Sequence, residues 1–164
     1  MFKVMFYKEE ENKLFGYNEW HHEKTSTYNS GRVCIMGDAA HATTPWQGSG
    51  AAMAFEDAMI LSHLLWNTAS VDHLGAAFEA FTEVRIDRCQ HIIDSSAGTG
   101  RIICGQNPEV GEVNAETRFF DVEPPKTRAA LAHRWDRIHG LKSDEHRDEA
   151  RALLEKKIKK NESH

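Results

Sequence analysis

Long apolar runs, paired cysteines and a basic face are all scarce in this 164-residue chain, and each scarcity removes a class of function. No apolar stretch approaches the roughly 20 residues that a membrane-spanning helix needs. Lys8-Glu9-Glu10-Glu11 stands where a secretory leader would carry its apolar segment. The expectation is a soluble, cytoplasmic protein. Cys34, Cys89 and Cys104 are odd in number and lack C-x-x-C spacing, which argues against a disulfide framework and against a zinc ribbon. A net charge of −5, with the densest basic run (Lys156 to Lys160) flanked by glutamates, disfavours nucleic acid as a partner. Ten histidines form no metal-ligand pattern: His21 and His22 are adjacent, and His133, His139 and His146 miss the i, i+4 spacing of a zinc helix. No metal site is therefore expected. Ser49 lacks the G-x-S-x-G frame of a nucleophile elbow, and the residues alone assign no catalytic group. The length suits one core, with or without an appendage.

What the chain does have is the stretch from Gly37 to Gly50, GDAAHATTPWQGSG. An apolar run, Val33-Cys34-Ile35-Met36, follows the turn pair Ser30-Gly31 and stops at one carboxylate, Asp38. Short, bounded and apolar, it reads as a buried parallel strand. Asp38 then lies at the carboxyl end of that strand, the edge where open α/β sheets bind ligands. A loop leads to a glycine-bounded helix start at Ser49. One acceptor and several backbone donors are thus offered together.

Residues 31 to 58, GRVCIMGDAAHATTPWQGSGAAMAFEDA, resemble the second flavin-binding motif of the FAD-dependent aromatic hydroxylases, most closely the salicylate hydroxylase-like flavoprotein monooxygenases. The resemblance implies that Asp38 accepts from a ribitol or ribose hydroxyl of FAD and that Pro45 lies beside the isoalloxazine ring. It also implies that Gly48, Ser49, Gly50 and Ala51 offer backbone N–H groups to the flavin. The residue types suit those roles. A carboxylate accepts from a hydroxyl in a charge-assisted hydrogen bond, and a helix N-terminus stabilises negative charge on a reduced flavin. By the same resemblance NAD(P)H reduces FAD, O₂ forms a flavin C4a-hydroperoxide, and a small aromatic substrate is hydroxylated. His41, the end of GDAAH, is expected to brace the loop, with general acid/base work as the lesser alternative.

The family opens with a strand, a G-x-G-x-x-G turn and a helix for the FAD pyrophosphate, and it places a D-G dipeptide between its halves. Neither occurs here, and Gly48-Ser49-Gly50-Ala51-Ala52-Met53 only begins like the fingerprint. The expectation is the C-terminal part of such an enzyme: α/β, with a partial FAD-binding Rossmann-like domain, C-terminal helices, and a separate N-terminal FAD-binding half as a partner. Residues 1–30 correspond to the end of the substrate domain and the return strands, 31–104 to the C-terminal part of the FAD-binding domain, and 105–164 to a loop and helical region. The rival reading is a non-catalytic truncated remnant that serves as an interaction or regulatory module.

Periodicity places a helix over 49–66, with apolar residues including Ala51, Phe55, Ala58, Leu64 and Leu65. Glu56 and Asp57 are the family's ED pair, or else a first-half acidic pair favoured by the helix dipole. A second helix is expected over 76–96, ended by Ser95-Ser96-Ala97-Gly98-Thr99-Gly100. It carries Arg85-Ile86-Asp87-Arg88 where the family has a proline, so no proline kink is expected. Further helices are expected near 114–120, over 126–138 with Gly140 as the stop, and over 144–160 with Ser143 as the N-cap. Strands are expected at Phe2–Tyr7, with short strands or loop at Leu14–Tyr17 and Glu19–His22. Phe55 and Trp66 are expected in the core, while Trp46 is balanced between core and pocket.

Overall fold

The computed structural model describes residues 19–107, 110 and 124–163. The strands expected at 2–7 and 14–17 and the helix near 114–120 lie outside them. Residues 19–28 run as loop into a hairpin, in which β1 (Asn29–Ser30) pairs antiparallel with β2 (Val33–Cys34), Ser30 opposite Val33. Gly31 makes the tight turn possible, since its φ of 57° is one that side chains with a Cβ rarely adopt.

The remaining described elements are helical. They are α1 (Asp38–His41), a 3₁₀ turn at Pro45–Gln47, α2 (Gly50–Trp66), a 3₁₀ turn at Val71–His73, α3 (Leu74–Ile103), α4 (Pro124–Leu131), α5 (Asp136–His139) and α6 (Ser143–Glu162). Helices α2, α3 and α6 pack on one another. Met53, Ile60 and Leu64 of α2 meet Ala77, Phe81, Cys89 and Ile92 of α3, with Ala150 and Leu154 of α6 and Tyr28 of the loop closing the core. Alanines at 76, 77 and 80 let the helices approach closely.

Several expectations change. The α/β class is met only in part, because the described chain is mostly helical with a two-stranded sheet. The run Val33–Met36 is no buried parallel strand: Val33 is 67% exposed, and Ile35 and Met36 are surface residues too. A run apolar on both faces needs cover on both faces, and the described elements cover neither fully. Helix α3 does not end at Ser95. It continues to Ile103 because its small residues are packing sites for Thr44 and Trp46, so tertiary contact overrides local propensity.

The helix expected over 126–138 is two pieces, interrupted by a turn in which His133 takes a positive φ of 64°. Gly140 does end the second, donating its N–H to the Asp136 carbonyl at 2.8 Å. Ser143 is the first residue of α6 and Lys142 its N-cap, while Asp144 and Glu145 at the start and Lys159 and Lys160 at the end match the dipole. Phe55, 76% exposed, and Trp66, 90% exposed, are surface residues and not core. On α2 the inward face is Met53, Asp57, Ile60 and Leu64, so Ala51, Phe55, Ala58 and Leu65 form an outward stripe.

Candidate functional site

The chain from Gly37 to Ala51 wraps around the N-terminal end of α2. Gly37 sits against Ala54, where a Cβ on it would lie 3.7 Å from the alanine methyl, and the Thr43 methyl abuts Gly50. Asp38 opens α1 with its side chain exposed. Pro45 and Gly48 bound the 3₁₀ turn and are exposed, with Gly48 in the left-handed region at φ 63° and open space around it. Ser49 is buried, and its hydroxyl donates to the Gln47 carbonyl at 3.1 Å instead of capping α2. The first turn of α2, with Gly50 half-buried and Ala51 exposed, therefore has no side-chain cap. Five of the residues singled out for the cofactor, Pro45, Gly48, Ser49, Gly50 and Ala51, lie in the first turn of α2 or in the turn that leads into it, and Asp38 opens α1.

Helix α3 holds the loop from behind. The Ser96 hydroxyl donates to the Thr44 carbonyl at 2.7 Å and pairs with the Thr44 hydroxyl at 2.9 Å. The Gln47 amide donates to Ser95 Oγ at 3.0 Å and to the Arg134 carbonyl at 3.1 Å. Trp46 lies across Gly100 so closely that a Cβ there would be 2.5 Å from the indole nitrogen. Trp46 thus packs on α3, and the small residues that looked like a helix end are the seat of the Pro45–Gln47 turn.

Beneath Asp38 runs a buried ionic network. Asp57 Oδ2 accepts from the Gly37 N–H at 2.9 Å and from His41 Nε2 at 2.5 Å, and Oδ1 accepts from Arg85 Nε at 2.8 Å. His41, Asp57 and Arg85 are essentially inaccessible to water. Glu56 accepts from Arg85 Nη1 at 2.7 Å and from Arg88 through both carboxylate oxygens. Arg88 donates onward to the Arg137 and Ile138 carbonyls. The ED pair therefore serves ion pairing with α3, not the dipole of α2.

Burial opposes ionisation of His41, but the hydrogen bond it donates to Asp57 outweighs it together with the Cys89 contact, so the imidazole is held protonated well above its usual range. Burial likewise opposes ionisation of Asp57, and the donors His41, Gly37 and Arg85 hold its carboxyl below the ordinary value. Burial and the Arg85 charge keep His146 below its usual range, so its Nε2 can accept from Arg85 Nη1 at 3.3 Å.

His41, Asp57 and Cys89 bring ligand-type atoms within 4.8 Å of one another. The Arg85 guanidinium already supplies Asp57 with its cation, and a metal ion would stand beside two buried positive charges. The bracing expected of His41 is what the geometry shows. Sequence reasoning missed Arg85 as the centre of the network. The available signal was two adjacent acids in one helix and two arginines at i, i+3 in the next.

Residues 7–96 match a protein family described as FAD binding domain. The chain belongs to that family. A 6-methylsalicylate 1-monooxygenase of Aspergillus terreus is 32% identical over 142 residues, covering 87% of this chain and 30% of the relative. A salicylate hydroxylase of Pseudomonas putida is 37% identical over 127 residues, covering 69% of this chain and 28% of the relative. A solved structure, a salicylate hydroxylase substrate complex, superposes with a TM-score of 0.65 at 29% identity, covering 77% of this chain and 29% of that one. The chain thus spans under a third of the length of these proteins. These relatives are aromatic-acid monooxygenases by name, and the resemblance read from residues 31 to 58 holds. Among the described residues no helix is long and apolar enough to cross a membrane.

Proposed function

We propose that this chain is the C-terminal part of the flavin domain of a FAD-dependent monooxygenase that uses NAD(P)H and O₂ to hydroxylate a small aromatic compound. The observation that carries the reading is the exposed Asp38 carboxylate, which opens α1 and is followed in the chain by the uncapped first turn of α2. The residues present fit the cofactor. Asp38 offers an acceptor with no partner of its own among the described residues, Gly48 has open space around it, and the first turn of α2 has backbone N–H groups to give.

FAD, when bound, supplies the redox chemistry with oxygen. Asp38 would accept from a flavin hydroxyl, and Pro45 would lie against the ring. The backbone from Gly48 to Ala51 would donate to it and stabilise negative charge as the ring is reduced. His41 stays protonated on Asp57 and takes no part in substrate proton transfer.

The partner proposed is a polypeptide segment with the G-x-G-x-x-G turn. Apolar side chains exposed at Val33, Ile35 and Met36 and along Phe55 and Leu65 are the surface it would cover. Flavin titration tests the reading: the chain alone should bind FAD weakly, and a co-expressed segment of that kind should raise the affinity and colour the protein yellow. A chain that gains no flavin with such a partner is the non-catalytic module instead.

A further inference from the structure

Asp38 carries the proposed contact with the cofactor, yet its own side chain is exposed and nothing described holds it. Its direction is set by the backbone on either side. Gly37, immediately before it, takes φ 59° and ψ −145°, a conformation open to glycine and costly for other residues. Such a turn persists only when its surroundings fix it. Both polar groups of Gly37 are fixed: the N–H by Asp57 Oδ2 at 2.9 Å, and the carbonyl by the N–H groups of Ala40 at 2.9 Å and His41 at 3.0 Å. The His41 ring, at the far end of the same four-residue helix, returns to the same carboxylate oxygen. One oxygen of Asp57 thus grips the segment 37–41 at both ends.

Asp57 itself cannot drift. Arg85 holds Oδ1 from α3, and Arg85 is in turn fixed by the Met53 carbonyl at 3.2 Å, by Glu56 and by His146 of α6. An ion pair kept only for stability has no need of a backbone N–H from a strained glycine, and buried pairs are often replaceable by apolar groups. We propose that Asp57 is a positioning residue for the Asp38 carboxylate: by fixing the Gly37 N–H and the His41 ring it aims Asp38 at a flavin hydroxyl, with Arg85 as its anchor. This rests on the reading of Asp38 as a flavin ligand.

The test uses the full ¹⁵N-labelled chain, with millimolar FAD as one probe and lumiflavin, which lacks the ribityl hydroxyls, as the other. The variants are Asp38→Ala, Asp57→Asn, and the double variant Asp57→Asn with Arg85→Gln, which avoids a buried unpaired guanidinium should the single variant fail to fold. In wild type, FAD shifts the amide signals of residues 37 to 41. In a folded Asp57 variant the Gly37 amide exchanges with solvent at least about tenfold faster while α3 amides keep their protection. FAD affinity falls about tenfold, and the response to lumiflavin is unchanged.

Wild-type Gly37 exchange and wild-type FAD affinity in a folded Asp57 variant, with affinity lost in Asp38→Ala, overturn the positioning role alone. If Asp38→Ala responds to FAD as wild type does, or FAD shifts none of residues 37 to 41, the reading of Asp38 falls and this proposal with it.

Discussion

Replacing Gly100 by alanine sets two opposed effects of known size against each other. In a helix interior the change normally stabilises by about 1 kcal/mol, because glycine loses more backbone freedom on folding. Here the new Cβ would stand 2.5 Å from Trp46 Nε1, 2.6 Å from Cδ1 and 2.9 Å from Cε2, all closer than real Cβ contacts. The obstacle is a rigid indole, tethered to a loop that Ser95 and Ser96 also hold. Overpacking of this kind costs about 1–3 kcal/mol, so the net is a loss of up to about 2 kcal/mol.

Two other glycines calibrate the result. At Gly75 an added Cβ meets nothing within 4 Å, so Gly75→Ala should stabilise by the ordinary propensity gain. At Gly98 the clash is with the flexible end of Arg134, which can swing away, so Gly98→Ala should fall between the two. Urea unfolding followed by far-UV circular dichroism gives the stabilities, and near-UV circular dichroism reports the tryptophan environment. The expected order is Gly75→Ala, Gly98→Ala, Gly100→Ala from most to least stable, with the near-UV change confined to the last. Gly100→Ala as stable as Gly75→Ala, with an unchanged near-UV spectrum, would refute the packing of Trp46 on α3.

Stability should also depend on pH on both sides of neutrality. His41 is raised to about 10 in the folded chain, so its contribution is fully present below about 6.5 and is lost as the pH rises through about 10. Asp57 and Glu56 are lowered, and so is His146; their contributions are present above their unfolded values and are lost as the pH falls through the folded ones. Melting temperatures should therefore decline in alkali, where the raised Tyr28 hydroxyl and Cys34 thiol also contribute, and His41→Gln should lack the part of the decline that begins above about 6.5; an identical alkaline limb in the variant would contradict the paired imidazolium. Phe81→Ala, at a fully buried side chain, should cost about 3–5 kcal/mol in urea unfolding, whereas Phe55→Ser on the exposed stripe should cost under about 0.5 kcal/mol.

The sequence was most legible where chemistry and local geometry coincide. Asp38, the glycines at 48 and 50 and the helix start are encoded within fourteen residues, so the candidate site was readable as a unit. Helix α6 was readable as well, because its acidic start, lysine-rich end and narrow apolar face are all local signals. What was not legible depends on partners far away in the chain. Ser96 and Gly100 read as breakers until Thr44 and Trp46 are seen filling the space above them. Arg85 stood out only as part of a stretch without the family's proline, because its carboxylate partners lie 28 and 29 residues earlier. Phe55 and Val33 read as core because residue type reports apolarity and not which neighbour covers it.

The central claim is that Asp38 accepts a hydrogen bond from the flavin. Its most direct measurement is the affinity for FAD, followed by visible absorbance, of the chain co-purified with a segment supplying the G-x-G-x-x-G turn. Losing a charged acceptor costs roughly 1.5–3 kcal/mol, so Asp38→Ala should bind FAD about ten- to a hundredfold more weakly. The control Glu155→Ala, at an exposed pair with Arg151 on α6, should bind as wild type does. Equal affinity in Asp38→Ala and wild type would contradict the account and remove Asp38 from the flavin site.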